Sequence, residues 1–312
     1  MAAVSSMILV LAVTLSWGVE GARAQASSEV THSTGVIGGT GTGAPGGEAA
    51  QPLPDIPALM HEVEEHEKAA EAVQKDYLYH AADTVEELDG HGRVKKTESR
   101  EYDVFWVDGV PVHKLTKKDG RELSADQQKK QGERIDKEVA KARERRMKAD
   151  AEGKTTDPYG HDEVTVSRLL ELGSFSNARR VALNGRSTIA VDYVGDPRAK
   201  TRNRLENVIR DVAGTVWVDE QDRAISKLEG RFLDTFKIGA GLVVNIRKGT
   251  SFSMEQRKVN GEVWLPAQMD GQGAARAFLL FRFNGRFREV DSGYRKFKVT
   301  STILPGMGKP SQ

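Results

Sequence analysis

Val216–Gly230 reads VWVDEQDRAISKLEG, and the fold class turns on it. A β-rich run, an Asp, a short polar break and a second run ending in Lys-Leu are the marks of two antiparallel strands joined by a turn. The phrase has an echo upstream, FWVDGVPVHKL, at Phe105–Leu115. Each Trp-Val-Asp is expected to end one strand and enter the turn to the next. The match is too short to argue for a duplication.

Asx-Gly dipeptides extend this pattern. They occur at Asp89-Gly90, Asp108-Gly109, Asp119-Gly120, Asn184-Gly185, Asn260-Gly261, Asp270-Gly271 and Asn284-Gly285. Both residues tolerate the positive φ of a type I′ turn, so each dipeptide is expected to close a hairpin. Two strands are half-buried by alternation: Leu242, Val244 and Ile246 on one face, and Phe252 and Met254 on another. Others are apolar on both faces. Tyr102, Val104 and Trp106 oppose Phe105 and Val107, while Leu279, Phe281 and Phe283 oppose Phe278 and Leu280. Such a sheet needs cover on both sides: helices on one, and on the other its own curvature, which can enclose a cavity.

Helical stretches are fewer. Pro57 to about Lys75 is expected to be helical, with Asp55 as its cap and a thin stripe of Met60, Val63, Ala70 and Val73. His61 and His66 lie five residues apart, which puts them roughly 140° apart on a helix and unfits them as a shared metal site. Ser124-Ala-Asp-Gln127 is a capping box opening a densely charged segment to Ala151. Only Ile135, Val139 and Met147 offer it a stripe, so it is expected to be solvated, steadied by Glu133–Lys137 and Glu144–Lys148 pairs. Two shorter helices are expected, at Val164–Leu172 and from about Pro197 to Asp211 with Leu205, Val208, Ile209 and Val212 inward.

The 312 residues carry a net charge of +1 and no cysteine. That balance sets up no global field for nucleic acid or membrane. The missing cysteines remove disulfides, thiolate chemistry and lipid attachment at Cys. Met7–Trp17 is an apolar run too short to span a bilayer, followed by the small-x-small Ala22-Arg23-Ala24. It reads as a secretory leader over 1–24, so the mature protein is expected to be exported, periplasmic or extracellular, and soluble. Residues 25–56 are rich in Gly, Ser, Thr, Ala and Pro and are expected to form a disordered linker. One domain over 57–300, with a charged insertion at 124–151 and a flexible tail at 301–312, accounts for the rest.

The element order suggests a family. One helix leads a β-meander, helices follow, and a second meander carries GTVWVDEQDRAISKLEG (Gly214–Gly230), NGEVWLPAQM (Asn260–Met269) and DSGYRKFKV (Asp291–Val299). This resembles the bacterial lipoprotein carrier and sorting superfamily, which includes the outer-membrane lipoprotein-sorting proteins. The resemblance spans Pro57 to Thr300 by element order and is sequence-specific only over those stretches. It implies an α+β fold, a strongly curved antiparallel sheet forming an unclosed β-barrel, with helices over its open face. The charged segment and linker are departures from that pattern, and the absent cysteine argues against the membrane-anchored receptor branch.

Such a fold would hold an acyl chain on a concave apolar surface. Candidate lining residues are Phe105, Trp217, Ile225, Phe232, Phe236, Phe252, Trp264, Phe278 and Phe281. Taken singly, large apolar residues mostly pack, so the expectation rests on the set. The basic cluster Arg282, Arg286, Arg288 and Arg295 fits anionic headgroups or an acidic partner, or equally a charge ladder across strands. DPYGHDE, with His161 among Asp157, Asp162 and Glu163, reads as a helix-entry loop. No acid, base and nucleophile set is legible, so enzymatic activity is not expected, and no cofactor or metal is called for. The expected partners are a lipid or acylated lipoprotein, with an envelope protein reached through the charged helix as a further one, and no nucleic acid. The alternative is a scaffold or sensor of the cell envelope whose sheet interior is packed core and whose charged helix docks a protein.

Overall fold

The computed structural model describes residues 52–161, 163–238, 244–277 and 281–296. The leader, nearly all of the linker, the tail, Leu242, Phe278 and Asp162 lie outside the described residues. Helix α1 (Ile56–Gln74) starts where the Asp55 carboxylate accepts from the Ala58 N–H at 3.1 Å. Leu59, Met60 and Val63 turn inward. A first meander follows: β1 (Tyr77–Leu88), β2 (Val94–Val107), β3 (Val110–Lys118) and β4 (Arg121–Glu122). Next come α2 (Ala125–Ala151), α3 (Val166–Leu172), β5 (Gly173–Leu183), β6 (Arg186–Gly195) and α4 (Arg204–Arg210). The second meander is β7 (Val212–Asp219), β8 (Ile225–Phe232), β9 (Phe236–Ile238), β10 (Val244–Ile246), β11 (Ser251–Val259), β12 (Val263–Ala277) and β13 (Phe281–Lys296).

All strand pairs are antiparallel, in one sheet ordered β4-β3-β2-β1-β13-β12-β11-β8-β7-β6-β5, with β10 beside β12 and β9 beside β10. The β1–β13 ladder, with Asp83 opposite Glu289, joins the two meanders. The main path ends at β4 and β5 without closing, so the fold is α+β with an open curved sheet. The apolar core lies between one face of this sheet and helices α1, α3 and α4.

Four of the Asx-Gly pairs are type I′ turns, with φ of 49° and 73° at Asp108-Gly109, 49° and 72° at Asp119-Gly120, 51° and 77° at Asn184-Gly185, and 51° and 72° at Asn260-Gly261. Asp270-Gly271 and Asn284-Gly285 close no hairpin; they lie inside β12 and β13. At Gly285 the reason is close approach, since a Cβ there would run into the Glu86 carbonyl of β1. Asp89-Gly90 begins a longer loop, whose positive φ of 78° falls at Gly92 instead.

The echoed phrases both end strands but enter different turns. Asp108 opens a two-residue turn, whereas Asp219, wholly buried, accepts from the Gln221 and Asp222 N–H groups at 3.2 and 2.8 Å within a longer loop. Helix α4 is shorter than its periodicity suggests. Asn203 takes the cap by accepting from Glu206 N at 2.9 Å, and Asp196-Pro197 makes only a turn. Thr165 likewise starts α3 two residues later than expected.

The charged segment does form one helix with both capping-box bonds, but it is not a freely solvated arm. Val139 and Ala142 pack on Val110 and Val112 of β3, with Phe105, Ile135 and Tyr159 around them. Met147, counted as part of the stripe, is 70 % exposed, and Ala149 is buried instead. Among the described residues the i,i+4 pair on this helix is Arg134–Glu138 at 3.9 Å rather than the two expected from sequence.

Candidate functional site

Paired residues of neighbouring strands share a face, so register shows what each face carries. One row runs Phe175, Tyr193, Gly214, Gly230, Phe252, Gly271, Phe287, Val85 across β5, β6, β7, β8, β11, β12, β13 and β1. Four aromatic rings and three glycines make up most of this row, on the face the helices cover. A Cβ at Gly230 would run into the Phe252 ring, so that ring lies over the glycine. A Cβ at Gly214 would meet the Glu229 carbonyl, a close backbone approach that only glycine permits.

A slot of about 80 Å³ lies between this row and the helices, with Gly214 and Gly230 in its floor. Met60 and Val63 of α1 and Val166 and Leu169 of α3 roof it; Leu228, Ile225 and Phe252 line its sheet side. Its polar groups are few. Glu64 is committed, accepting from Val166 N at 3.3 Å and from Lys68 Nζ at 3.1 Å. Tyr193 lines the slot by its ring; its hydroxyl lies against Gly173, outside the lining, has no hydrogen-bond partner among the described residues, and is pushed up in pKa by burial.

The sequence-derived set divides among several places. Ile225 and Phe252 line the slot, and Phe232 and Phe236 pack beside it with ring centroids 5.9 Å apart. Phe105 lies under α2. Trp217 stands on the opposite face, because its neighbours Val216 and Val218 face the core; Lys227 covers its ring at 5.3 Å. Trp264 is buried away from the slot, its Nε1 donating to Asp222 at 3.0 Å and Arg186 lying over its ring at 5.5 Å. The side chains of Phe281 and Arg282, like Phe278, lie outside the described residues. Phe175, Tyr193 and the two glycines escaped the sequence reading. The signals were present: Ile189, Val191 and Tyr193 alternate, and isolated glycines in strands mark close approach.

The opposite face carries an open polar trough of about 930 Å³ between two rows of side chains, with Thr84, Asp270 and Arg288 on one side and Glu86, Gln272 and Arg286 on the other. Arg286 pairs with Glu86 at 3.0 Å and Arg288 with Asp270 at 2.6 Å, so both sit in a ladder across strands. Arg295 is exposed on β13 opposite Leu78. In the loop before α3, Asp157 is spent on folding, accepting from the Tyr159 and His161 N–H groups at 2.9 and 2.8 Å.

No family model and no curated protein matches the sequence. Solved structures similar to the chain include a putative outer membrane lipoprotein-sorting protein domain from Vibrio parahaemolyticus, at 11 % identity and a TM-score of 0.35, covering 79 % of this chain and 93 % of that one. A DUF1329 family protein from Desulfovibrio piger matches at 10 % identity and 0.31, over 80 % and 95 % of the two chains. A LolA superfamily protein from Nitrosomonas europaea matches at 7 % and 0.27, over 78 % and 97 %. At such TM-scores likeness carries no weight on function; the slot's own residues do.

A third feature lies on the same covered face. Asp83, Glu289 and Asp291 are 3 %, 5 % and 1 % exposed. Asp83 and Glu289 stand opposite each other across the β1–β13 ladder, and neither Asp291 carboxylate oxygen has a partner among the described residues. Desolvation raises all three, and Asp291 is pushed up to about 7 by burial and then by the nearby Asp83 charge.

Proposed function

We propose that the chain is an exported binding protein that holds a lipid or acylated lipoprotein by its acyl chain in the slot under α1 and α3. The observation carrying this reading is the slot itself: an apolar gap in an aromatic–glycine row, roofed by two helices. Its volume of about 80 Å³ is smaller than the roughly 150 Å³ that admits a benzene ring, so the chain stands here in a closed state. Cargo enters by displacement of α1 and α3, which meet the sheet through a few side chains: Leu59, Met60 and Val63, and Val166, Leu169 and Leu172. Each methylene buried returns about 0.8 kcal/mol, which suits a carrier that must release what it holds. No covalent step and no cofactor are involved. Among the described residues no helix is long and apolar enough to cross a membrane. The leader-like Met7–Ala24 supports export.

The test is mass spectrometry of lipids extracted after gentle purification from an envelope fraction, with an unrelated exported protein as control. An acyl compound near one per chain is expected. A lipid-free protein that also refuses added lipid would sink the reading. A second reading, an envelope scaffold docking a partner through α2, is favoured by the exposed charged face of that helix and by Met147 standing out from it.

A further inference from the structure

Helix α2 is fastened to β3 by more than its apolar stripe. Strand β4 pairs with β3 only at Lys117 and Lys118, so among the described residues no strand lies beside the outer edge of Val110–Thr116. The two-residue turn at Asp108-Gly109 makes Val107 and Val110 a hydrogen-bonded pair. Alternation then aims the backbone groups of Val112 and Lys114 at β2, and those of Pro111, His113 and Leu115 outward. Pro111 has no N–H to offer, and its carbonyl accepts from the Tyr159 hydroxyl at 3.2 Å. At Leu115 the Gln131 side-chain amide, turned as its surroundings demand, donates to the carbonyl at 3.1 Å and accepts from the N–H. Those are the two bonds that a facing residue on a neighbouring antiparallel strand makes. Gln131 is only 8 % exposed, so it is built into this contact. At the head of the strand Arg146 donates to the Asp108 and Gly109 carbonyls at 2.6 and 3.2 Å. From Gln131 to Arg146 a helix advances roughly 22 Å, and from Gly109 to Leu115 a strand runs roughly 20 Å, so α2 follows β3 along its length. The far end of the path is defended differently. There a bulge breaks the edge of β5, with a register shift between Ser176 and Arg179 and Asn177 at φ 52°.

We propose that α2 is an edge guard, and that the edge it covers on β3 is a docking surface for the same edge of a second copy of this chain. A second copy fits because the outward residues suit a two-fold axis through His113. His113 then faces His113, Pro111 faces Leu115 and Lys114 faces Val112, so no two lysines stand opposite. Hydrogen bonds form between the two His113 residues and from each Leu115 N–H to the opposite Pro111 carbonyl. With α2 in place that seam is closed, since Gln131 holds the Leu115 groups and Tyr159 the Pro111 carbonyl. A long charged helix at the end of a sheet is thereby explained without an outside partner. The inference is independent of the acyl slot.

The experiment is analytical ultracentrifugation of the full chain over a wide range of concentration. Wild type is expected to stay monomeric. Gln131→Ala with Val139→Asp releases both the amide and the apolar hold of α2, and is expected to dimerise as concentration rises. Adding His113→Pro is expected to restore the monomer, because proline removes the edge donor on the two-fold axis and leaves the β2 side intact. A double variant that is folded by circular dichroism yet stays monomeric would overturn the inference. So would dimers that survive His113→Pro, since they would join through the uncovered Val110 and Val112, and so would a wild type that already associates. Should the double variant not fold, hydrogen exchange of Gln131→Ala alone decides. Its Leu115 amide is expected to exchange about tenfold or more faster than in wild type, while that of Val112, bonded to β2, is unchanged. Equal protection of Leu115 in the two proteins would mean that Gln131 does not hold the edge, and would overturn the proposal.

Discussion

At the scale of single residues, two glycines set the interior. Gly214 and Gly230 face each other across β7 and β8, yet they resist a side chain for different reasons. At Gly214 the obstacle is the Glu229 carbonyl, which belongs to the ladder and cannot step aside. At Gly230 it is the tip of the Phe252 ring, which can swing into the slot. Gly214→Ala is therefore expected to lose on the order of 3 kcal/mol in urea unfolding, and Gly230→Ala about 1 kcal/mol. Equal losses would contradict this account of the row. The sequence announced the glycines but not their use. Asx-Gly is a turn signal where the chain reverses, and Gly271 and Gly285 carry it where long strands run on. Aromatics misled in a related way. Trp217 sits between Val216 and Val218 and so must face away from them, a parity that hydrophobicity alone does not reveal. Trp264 was claimed by Asp222 and Arg186, polar partners distant in sequence.

At the scale of elements, helix α2 shows how composition overstates solvation. Its charges are real, but the positions that matter are Val139 and Ala142 against Val110 and Val112. Alanine is easily missed as a core residue because it adds little to a hydrophobic stripe, although it lets a helix approach a strand closely. Val139→Ala is expected to cost about 1–2 kcal/mol, and Met147→Ala, at an exposed site, to stay within about 0.5 kcal/mol. Similar losses at the two sites, measured by thermal melting, would mean the helix docks by another face. For the same reason, deleting Ser124–Ala151 uncovers Val110 and Val112 and is no neutral excision. The caps were readable from local chemistry: Asp55, Ser124 and the hairpin turns at Asp108, Asp119, Asn184 and Asn260 depend on near neighbours. The β1–β13 ladder, which unites the meanders, depends on residues some two hundred positions apart and left no local trace.

At the scale of the whole molecule, that ladder carries a cost that responds to pH. Asp291 is pushed up to about 7, well above its unfolded value, by burial and by Asp83 beside it. The folded state then holds more protons than the unfolded one between the unfolded carboxylate range and about pH 7. The stability it contributes is fully present below the unfolded pKa and is lost as pH rises through the folded one. Lowering the pH from about 8 to about 5 should stabilise the chain, by on the order of 2–3 kcal/mol from this group. Asp291→Asn should flatten that dependence in denaturant melts taken across the range. An unchanged slope would show that the buried trio does not titrate as its surroundings require.

The slot is the central claim, and filling it is the most direct trial. Leu228 lines the slot from β8 and is half-buried, so Leu228→Phe adds bulk where there is space. The decisive measurement is uptake of a fluorescent acyl probe by wild type and by Leu228→Phe, both confirmed folded by circular dichroism. The account predicts saturable uptake by wild type and a loss of tenfold or more, on the order of 1.4 kcal/mol, in the filled variant. Equal uptake by the two would place the acyl chain elsewhere and contradict the account.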